Sequence, residues 1–186
     1  MTEVSTPLTY RPTRTIALVG LMGVGKSSVG RRLATALGLP FRDADHEIEL
    51  AAGRSVSDIF TERGEAEFRA GERRVIGRLL DEPTHILATG GGAFVQPDTR
   101  ALIKARALSV WLKADIEVLA RRVARKANRP LLIGRDPLEL LTAHARDRYP
   151  FYSEAHLTVE GGDGSHGAAV DAVLAALARY EKAAAQ

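Results

Sequence analysis

The sequence predicts an α/β domain, a mainly parallel five-stranded sheet with helices on both faces. Two patterns predict it. Short apolar runs alternate with stretches whose apolar residues recur at helical spacing, the signature of strands joined by crossover helices. The first run, Ile16-Ala17-Leu18-Val19, is apolar on consecutive residues, as a strand covered on both faces requires. At 186 residues the chain suits one compact domain. We divide it into an N-terminal arm (residues 1–14), a domain (15–182) and a short C-terminal tail (183–186).

The elements follow in order. The first strand ends at Gly20, and after a glycine-rich turn Val29, Leu33, Ala36 and Leu37 mark a helix that Gly38 and Pro40 stop. Residues 41–45 read as a short second strand or its exit. Small helices fit residues 48–51 and 56–60. Phe68, Val75, Ile76, Leu79 and Leu80 mark a longer helix, in which Gly71 and Gly77 read as interruptions. A third strand over 85–88 runs into Gly90-Gly91-Gly92, and Pro97 opens a helix to about 105. A fourth strand fits 108–112, with helices over 116–123 and 138–148. A fifth strand fits 156–160, a turn follows to Gly167, and Val170, Val173, Leu174 and Leu177 mark the last helix.

Composition narrows the function classes. The chain has no cysteine, so disulfides, thiolate catalysis and cysteine-ligated zinc are excluded. A formal net charge of +3 permits anionic ligands without demanding nucleic acid. No run approaches the roughly 18–20 apolar residues that span a bilayer, and residues 1–14 do not read as a secretory signal. Together these point to a cytoplasmic protein with no membrane partner.

The sharpest motif is Gly20-Leu21-Met22-Gly23-Val24-Gly25-Lys26-Ser27, which fits G-x-x-x-x-G-K-[ST]. Glycines let the backbone aim successive N–H groups at a polyphosphate, and the next helix adds its positive end. Gly23, Val24, Gly25, Lys26, Ser27 and Ser28 are therefore assigned to the polyphosphate of a nucleotide. Lys26 supplies charge to the β- and γ-phosphates, and the Ser27 hydroxyl can ligate Mg²⁺. The motif sits between a buried strand and an amphipathic helix, where a coincidental turn is not expected.

Many phosphate-loop proteins carry a metal-binding aspartate at the end of the third strand, but here that strand ends Leu87-Ala88-Thr89-Gly90. Asp43-Ala44-Asp45, at the end of the second strand, is the obvious alternative. In an extended chain both carboxylates point the same way, towards the sheet's carboxyl edge. Asp45 also suits a plain N-cap for the following helix.

Over about residues 16–179 the chain resembles the shikimate kinases. Beyond the phosphate loop the matching residues are Asp43-Ala44-Asp45, Asp58-Ile59-Phe60, Gly64-Glu65, Glu67-Phe68-Arg69, Gly90-Gly91-Gly92-Ala93, Arg129-Pro130-Leu131-Leu132 and Arg148-Tyr149-Pro150-Phe151-Tyr152. The resemblance implies a P-loop NTPase-like fold with substrate-binding (about 43–75) and lid (about 122–136) insertions. It also implies MgATP-dependent phosphorylation of the 3-hydroxyl of shikimate, giving shikimate 3-phosphate and ADP, a step of aromatic amino-acid biosynthesis. Asp45, Arg69 and Arg148 would hold shikimate, with Gly91 and Gly92 lining its site. Arg129 would reach the transferring phosphoryl group from the lid, Arg122 would stack on adenine, and Asp43 would bind magnesium through water. The catalytic set is then Lys26, Asp45 and Arg129. Gly71 and Arg73 depart from the family pattern, at positions that concern helix packing rather than chemistry.

Rival readings are a gluconate kinase of similar build, a nucleotide-operated switch, or a nucleic-acid-binding module. The sequence has no Asn-Lys-x-Asp guanine-reading motif. The basic run Arg121, Arg122, Arg125, Lys126 and Arg129 lacks interleaved aromatics to stack on bases. The expected ligands are shikimate and ATP, with no nucleic acid, acting on a monomer. The five histidines form no recognisable metal or nucleophile set and read as core or surface residues.

Overall fold

The computed structural model describes residues 10–125, 134–161 and 165–185. Its sheet contains β1 (Thr15–Val19), β2 (Phe41–Asp43), β3 (Ile86–Ala88), β4 (Ala107–Ala114) and β5 (Leu157–Gly161). They lie in the order β2-β3-β1-β4-β5, and every pairing is parallel. Helices α1 (Lys26–Leu37), α2 (Ala44–Ala52), α3 (Val56–Leu80), α4 (Pro97–Arg106), α5 (Ile116–Ala124), α6 (Pro137–Tyr152) and α7 (His166–Ala184) form the connections. This is the α/β architecture that the alternating pattern predicts.

β1 is buried along its whole length because both flanking strands pair with it and helices cover both faces. The chain builds β2 and β3 on one side of β1, then β4 and β5 on the other. That reversal opens a crevice at the carboxyl ends of the strands, where ligands bind in open parallel sheets. The main core runs from Ile16, Leu18 and Leu33 through Phe94, Leu119 and Tyr152 to Leu177. A satellite cluster of Ile48, Ile59 and Phe68 ties α2 to α3 beside the crevice.

Three local expectations change. Residue 45 is not extended: β2 stops at Asp43, whose carboxylate caps α2 by accepting from the N–H groups of Asp45 and His46. The cap is thus Asp43 rather than Asp45, because the chain turns helical two residues earlier than an extended reading assumes. Gly71 and Gly77 do not interrupt their helix; α3 runs through both, and the break falls at Gly64 (φ 81°, ψ 173°). That conformation is open to glycine and strained for other residues. Lastly, α6 continues past Arg148 to Tyr152 with Pro150 inside it, so the proline costs one backbone bond near the helix end without stopping the chain there.

Candidate active site

Among the described residues, five of the seven α-helices have a side-chain N-cap: Asp43, Ser55, Asp115, Asp136 and Ser165. α1 has none; Gly25, in a left-handed conformation (φ 95°), stands at its cap position, and its first turn carries no acid. The N–H groups and positive dipole end of α1 are therefore turned to the crevice without a protein side chain to satisfy them. Lys26 reaches back to the loop, its Nζ donating to the carbonyls of Gly20 (2.7 Å) and Leu21 (3.0 Å). Ser27 Oγ donates to Asp43 Oδ2 at 2.5 Å, which joins the phosphate loop to the end of β2.

A cavity of about 390 Å³ opens here, lined by Met22, Gly23, Gly25, Lys26, Ser27, Ser28, Asp43, Asp45, Thr89, Gly90, Gly91, Arg122, Arg125 and His166. The loop and both aspartates therefore share one space, although Asp45 arrives on a helix. Asp45 holds its proton more tightly than an ordinary carboxyl, first because it is buried and next because Asp43 stands beside it; Lys26 and Arg69 oppose the shift. A second cavity, of about 240 Å³, lies between the ends of β4 and β5 and the start of α7. Val24, Leu112, Val159 and Ala169 give it an apolar lining, and Arg122 stands at its edge.

The three consecutive glycines after β3 form a platform for three charged side chains. A methyl group on Gly90 would lie 2.9 Å from Asp45 Oδ1 and 3.2 Å from Glu72 Oε1. On Gly91 it would lie 3.2 Å from Arg148 Nη1, and on Gly92 only 2.2 Å from Arg69 Nη2. An added side chain on Gly92 would displace the Arg69 guanidinium from where it lies, so glycine there leaves the arginine its place. Asp45, Arg148 and Arg69 are brought together from α2, α6 and α3, one acceptor and two cations around one patch of backbone. That suits a small hydroxylated carboxylate, with arginine forks for the carboxylate and aspartate for a hydroxyl.

Two residues that hold this arrangement had no role in the sequence reading. Glu72 is fully buried and binds Arg69 Nη1 through Oε2 at 2.7 Å, while its Oε1 has no hydrogen-bond partner among the described residues. Burial raises its proton affinity despite the neighbouring guanidinium. Tyr152 is buried, donates its hydroxyl hydrogen bond to the Gly91 carbonyl, and also bonds to Arg148. Its pKa is pushed up to about 12 by burial, with Arg148 opposing. The available signals were positional: Glu72 stands one helical turn after Arg69, and Tyr152 one turn after Arg148.

Arg129 and the central part of the expected lid fall outside the described residues. Of the basic run, Arg122 and Arg125 line the first cavity. The departures from the family pattern leave α3 intact: Arg73 pairs with Asp98 at 3.2 Å, and Gly71 has open space, with Arg74 Nη2 the nearest atom at 3.9 Å from an added methyl. No helix among the described residues is long and apolar enough to cross a membrane.

Residues 22–178 match the family model for shikimate kinase. The chain is 69% identical over 164 residues to a shikimate kinase of Caulobacter vibrioides, covering 88% of this chain and 82% of that one. It is 54% identical over 173 residues to a shikimate kinase of Paramagnetospirillum magneticum, covering 93% and 89%. Among solved structures, a shikimate kinase from Acinetobacter baumannii in complex with shikimate superposes with a TM-score of 0.83 at 38% identity, covering 91% of this chain and 95% of that one.

Proposed function

The chain belongs to the shikimate kinase family, and from that premise we propose how its residues share the work of phosphorylating shikimate with ATP. The activity is that of an ATP-dependent kinase in aromatic biosynthesis. The observation that carries the assignment of roles is the glycine platform, which sets Asp45, Arg148 and Arg69 around one acceptor site beside the phosphate loop. The segment of about 43–75 supplies two of the three.

Arg69 and Arg148 grip the carboxylate of shikimate, and Asp45 accepts a hydrogen bond from its 3-hydroxyl. The terminal phosphates of ATP lie on the N–H groups from Gly23 to Ser28, with Lys26 turning from the loop carbonyls to the β- and γ-oxygens. The 3-hydroxyl oxygen bonds to the γ-phosphorus as the bond from that phosphorus to the β–γ bridging oxygen breaks, leaving ADP. The hydroxyl proton passes to Asp45, whose raised proton affinity suits the task. Lys26, and Arg129 from the lid, balance the charge on the phosphoryl group in flight. Arg122 packs on the adenine.

Ser27 and Asp43 fit a magnesium ion. Their oxygens already meet at 2.5 Å, and a hydroxyl with one carboxylate suits an ion that keeps most of its ligands as water and phosphate. Ser27 would hold it directly and Asp43 through water. When bound, the ion neutralises charge on the β- and γ-phosphates.

The test is ADP release from MgATP with shikimate, gluconate, a nucleoside monophosphate or no acceptor. Stimulation by shikimate alone, abolished in Asp45→Asn, is the expected result. Equal stimulation by gluconate would discard the acceptor site described above, and turnover without acceptor would favour a nucleotide switch.

A further inference from the structure

α2 and α3 enclose a third cavity, of about 310 Å³, which shares no lining residue with the two described above. Ile48, Ile59, Phe68 and Val75 form its apolar floor, and Arg54, Arg63 and Arg74 stand around it with Glu67. Its volume lies at the small end of the range of roughly 300–1,000 Å³ typical of ligand pockets.

Gly71 keeps this cavity open. It is helical, since the break in α3 falls at Gly64, and an added methyl group would meet nothing nearer than Arg74 Nη2 at 3.9 Å. Neither conformation nor crowding calls for glycine there, and glycine inside a helix is less stable than any ordinary residue except proline. Gly71 stands between Phe68 and Val75 on one helical face, so its missing side chain leaves room above both. The cations at the rim differ in what they hold. Arg54 binds Glu62, and Arg63 lies 4.0 Å from Glu67, at the outer limit of an ion pair. Arg74 has no ion pair or hydrogen bond among the described residues. An apolar floor beneath an uncommitted guanidinium suits a ligand that is apolar at one end and anionic at the other.

Phe68 is the wall between this cavity and the glycine platform. The Arg69 guanidinium lies over its ring at 5.1 Å, and the Phe60 ring packs against it at 4.4 Å. We propose that the cavity is an effector site for a small carboxylate with a flat apolar body, and that filling it holds Phe68 under Arg69 and tightens the grip on shikimate. The carboxylate pairs with Arg74, and the apolar body lies over Gly71 on Ile48, Ile59 and Phe68. By linkage, each ligand then tightens the other by the same factor.

This coupling rests on the acceptor role of Arg69 proposed above, and the experiment separates the two. The full chain is titrated by calorimetry with 3-phenylpropionate, with its neutral amide and with shikimate, as wild type, Gly71→Leu and Arg74→Gln. Wild type should bind 3-phenylpropionate saturably. Loss of the charged contact, in the amide or in Arg74→Gln, should weaken binding by about tenfold or more. Gly71→Leu, whose side chain fills the cavity, should abolish it. Saturating 3-phenylpropionate should lower the Kd for shikimate by about fivefold or more in wild type and leave it unchanged in Gly71→Leu. Both variants should still bind shikimate, which reports an intact fold.

Absence of saturable binding at millimolar 3-phenylpropionate would overturn the proposal, as would undiminished binding in Gly71→Leu. An unchanged Kd for shikimate would remove the effector role. Competition between the two carboxylates would place 3-phenylpropionate on the acceptor site and also overturn it. Failure of wild type to bind shikimate at all would reject the acceptor site itself, and the coupling with it.

Discussion

Arg69 is held by Glu72: the guanidinium Nη1 lies 2.7 Å from a carboxylate that has no access to solvent, while Nη2 lies over Gly92. The pair is one helical turn apart on α3, and Arg69 also packs over the rings of Phe68 and Phe60 at 5.1 and 5.9 Å. The cation proposed to grip shikimate is thus set in place before substrate arrives, which lowers the cost of ordering it on binding. Glu72→Gln keeps the shape but weakens the charge-assisted bond. The KM for shikimate should rise by about tenfold or more, with a smaller fall in kcat and the KM for ATP unchanged. Steady-state kinetics on both substrates checks this; equal changes in the two KM values would count against it.

Gly92→Ala should act on the same arginine from the other side. A methyl group at 2.2 Å from Nη2 cannot be accommodated without moving Arg69 off the platform. Shikimate binding by calorimetry should fall at least about tenfold while ADP binding is kept, since a displaced arginine fork loses a charge-assisted bond. Loss of both would show a wider collapse of the turn.

Lys26→Ala and Asp45→Asn should each lower kcat by about 10²- to 10³-fold, the usual effect of removing a preorganised charged group. Their stabilities should differ in a characteristic way. Burial raises the proton affinity of Asp45 above the ordinary value of 3.8, so the folded state binds its proton more tightly than the unfolded chain. Burying the ionised form therefore costs stability, fully above the folded pKa and not at all below about the unfolded value. Asp45→Asn should accordingly raise the Tm of the ligand-free protein near neutral pH. That gain should shrink as pH falls through the raised pKa towards 3.8. Thermal melts across that range provide the measurement, and a variant less stable at pH 7 would contradict the assignment of burial as the dominant cause.

Tyr152→Phe removes the hydroxyl that bonds to the Gly91 carbonyl and to Arg148. With the half-buried acceptor left without its donor, the expected loss is about 0.5–1.5 kcal/mol of stability, together with a raised KM for shikimate. The single tryptophan offers a reporter, because Trp111 lies edge-on to Tyr149 at 5.0 Å and 5.8 Å from Tyr152. Its emission should change on shikimate binding in the wild type and less in the variant.

Gly64→Ala should cost about 1–3 kcal/mol, because alanine cannot take φ 81°, ψ 173° without strain. The substitution lies five residues before Arg69, so a denaturant melt should show the loss and shikimate kinetics should show whether the second half of α3 shifts with it.

The sequence by itself determined the strand–helix alternation, the parallel sheet and the phosphate loop. These are written in short-range terms: apolar periodicity, glycines ahead of a helix, and a lysine and serine at fixed spacing. Strand ends and the long kinked α3 were less legible, since Gly64 and Gly71 look alike in sequence and only packing shows which one bends the helix. Tertiary structure decided the grouping proposed as the acceptor site. Asp45, Arg69 and Arg148 lie far apart in the chain and meet only because three helices converge on the turn after β3. The same convergence buries Glu72 and Tyr152, and it brings His166 from the far end of the chain against Gly25. No periodicity records such contacts, because whether a charged side chain lies in solvent or against a glycine depends on the elements packed around it.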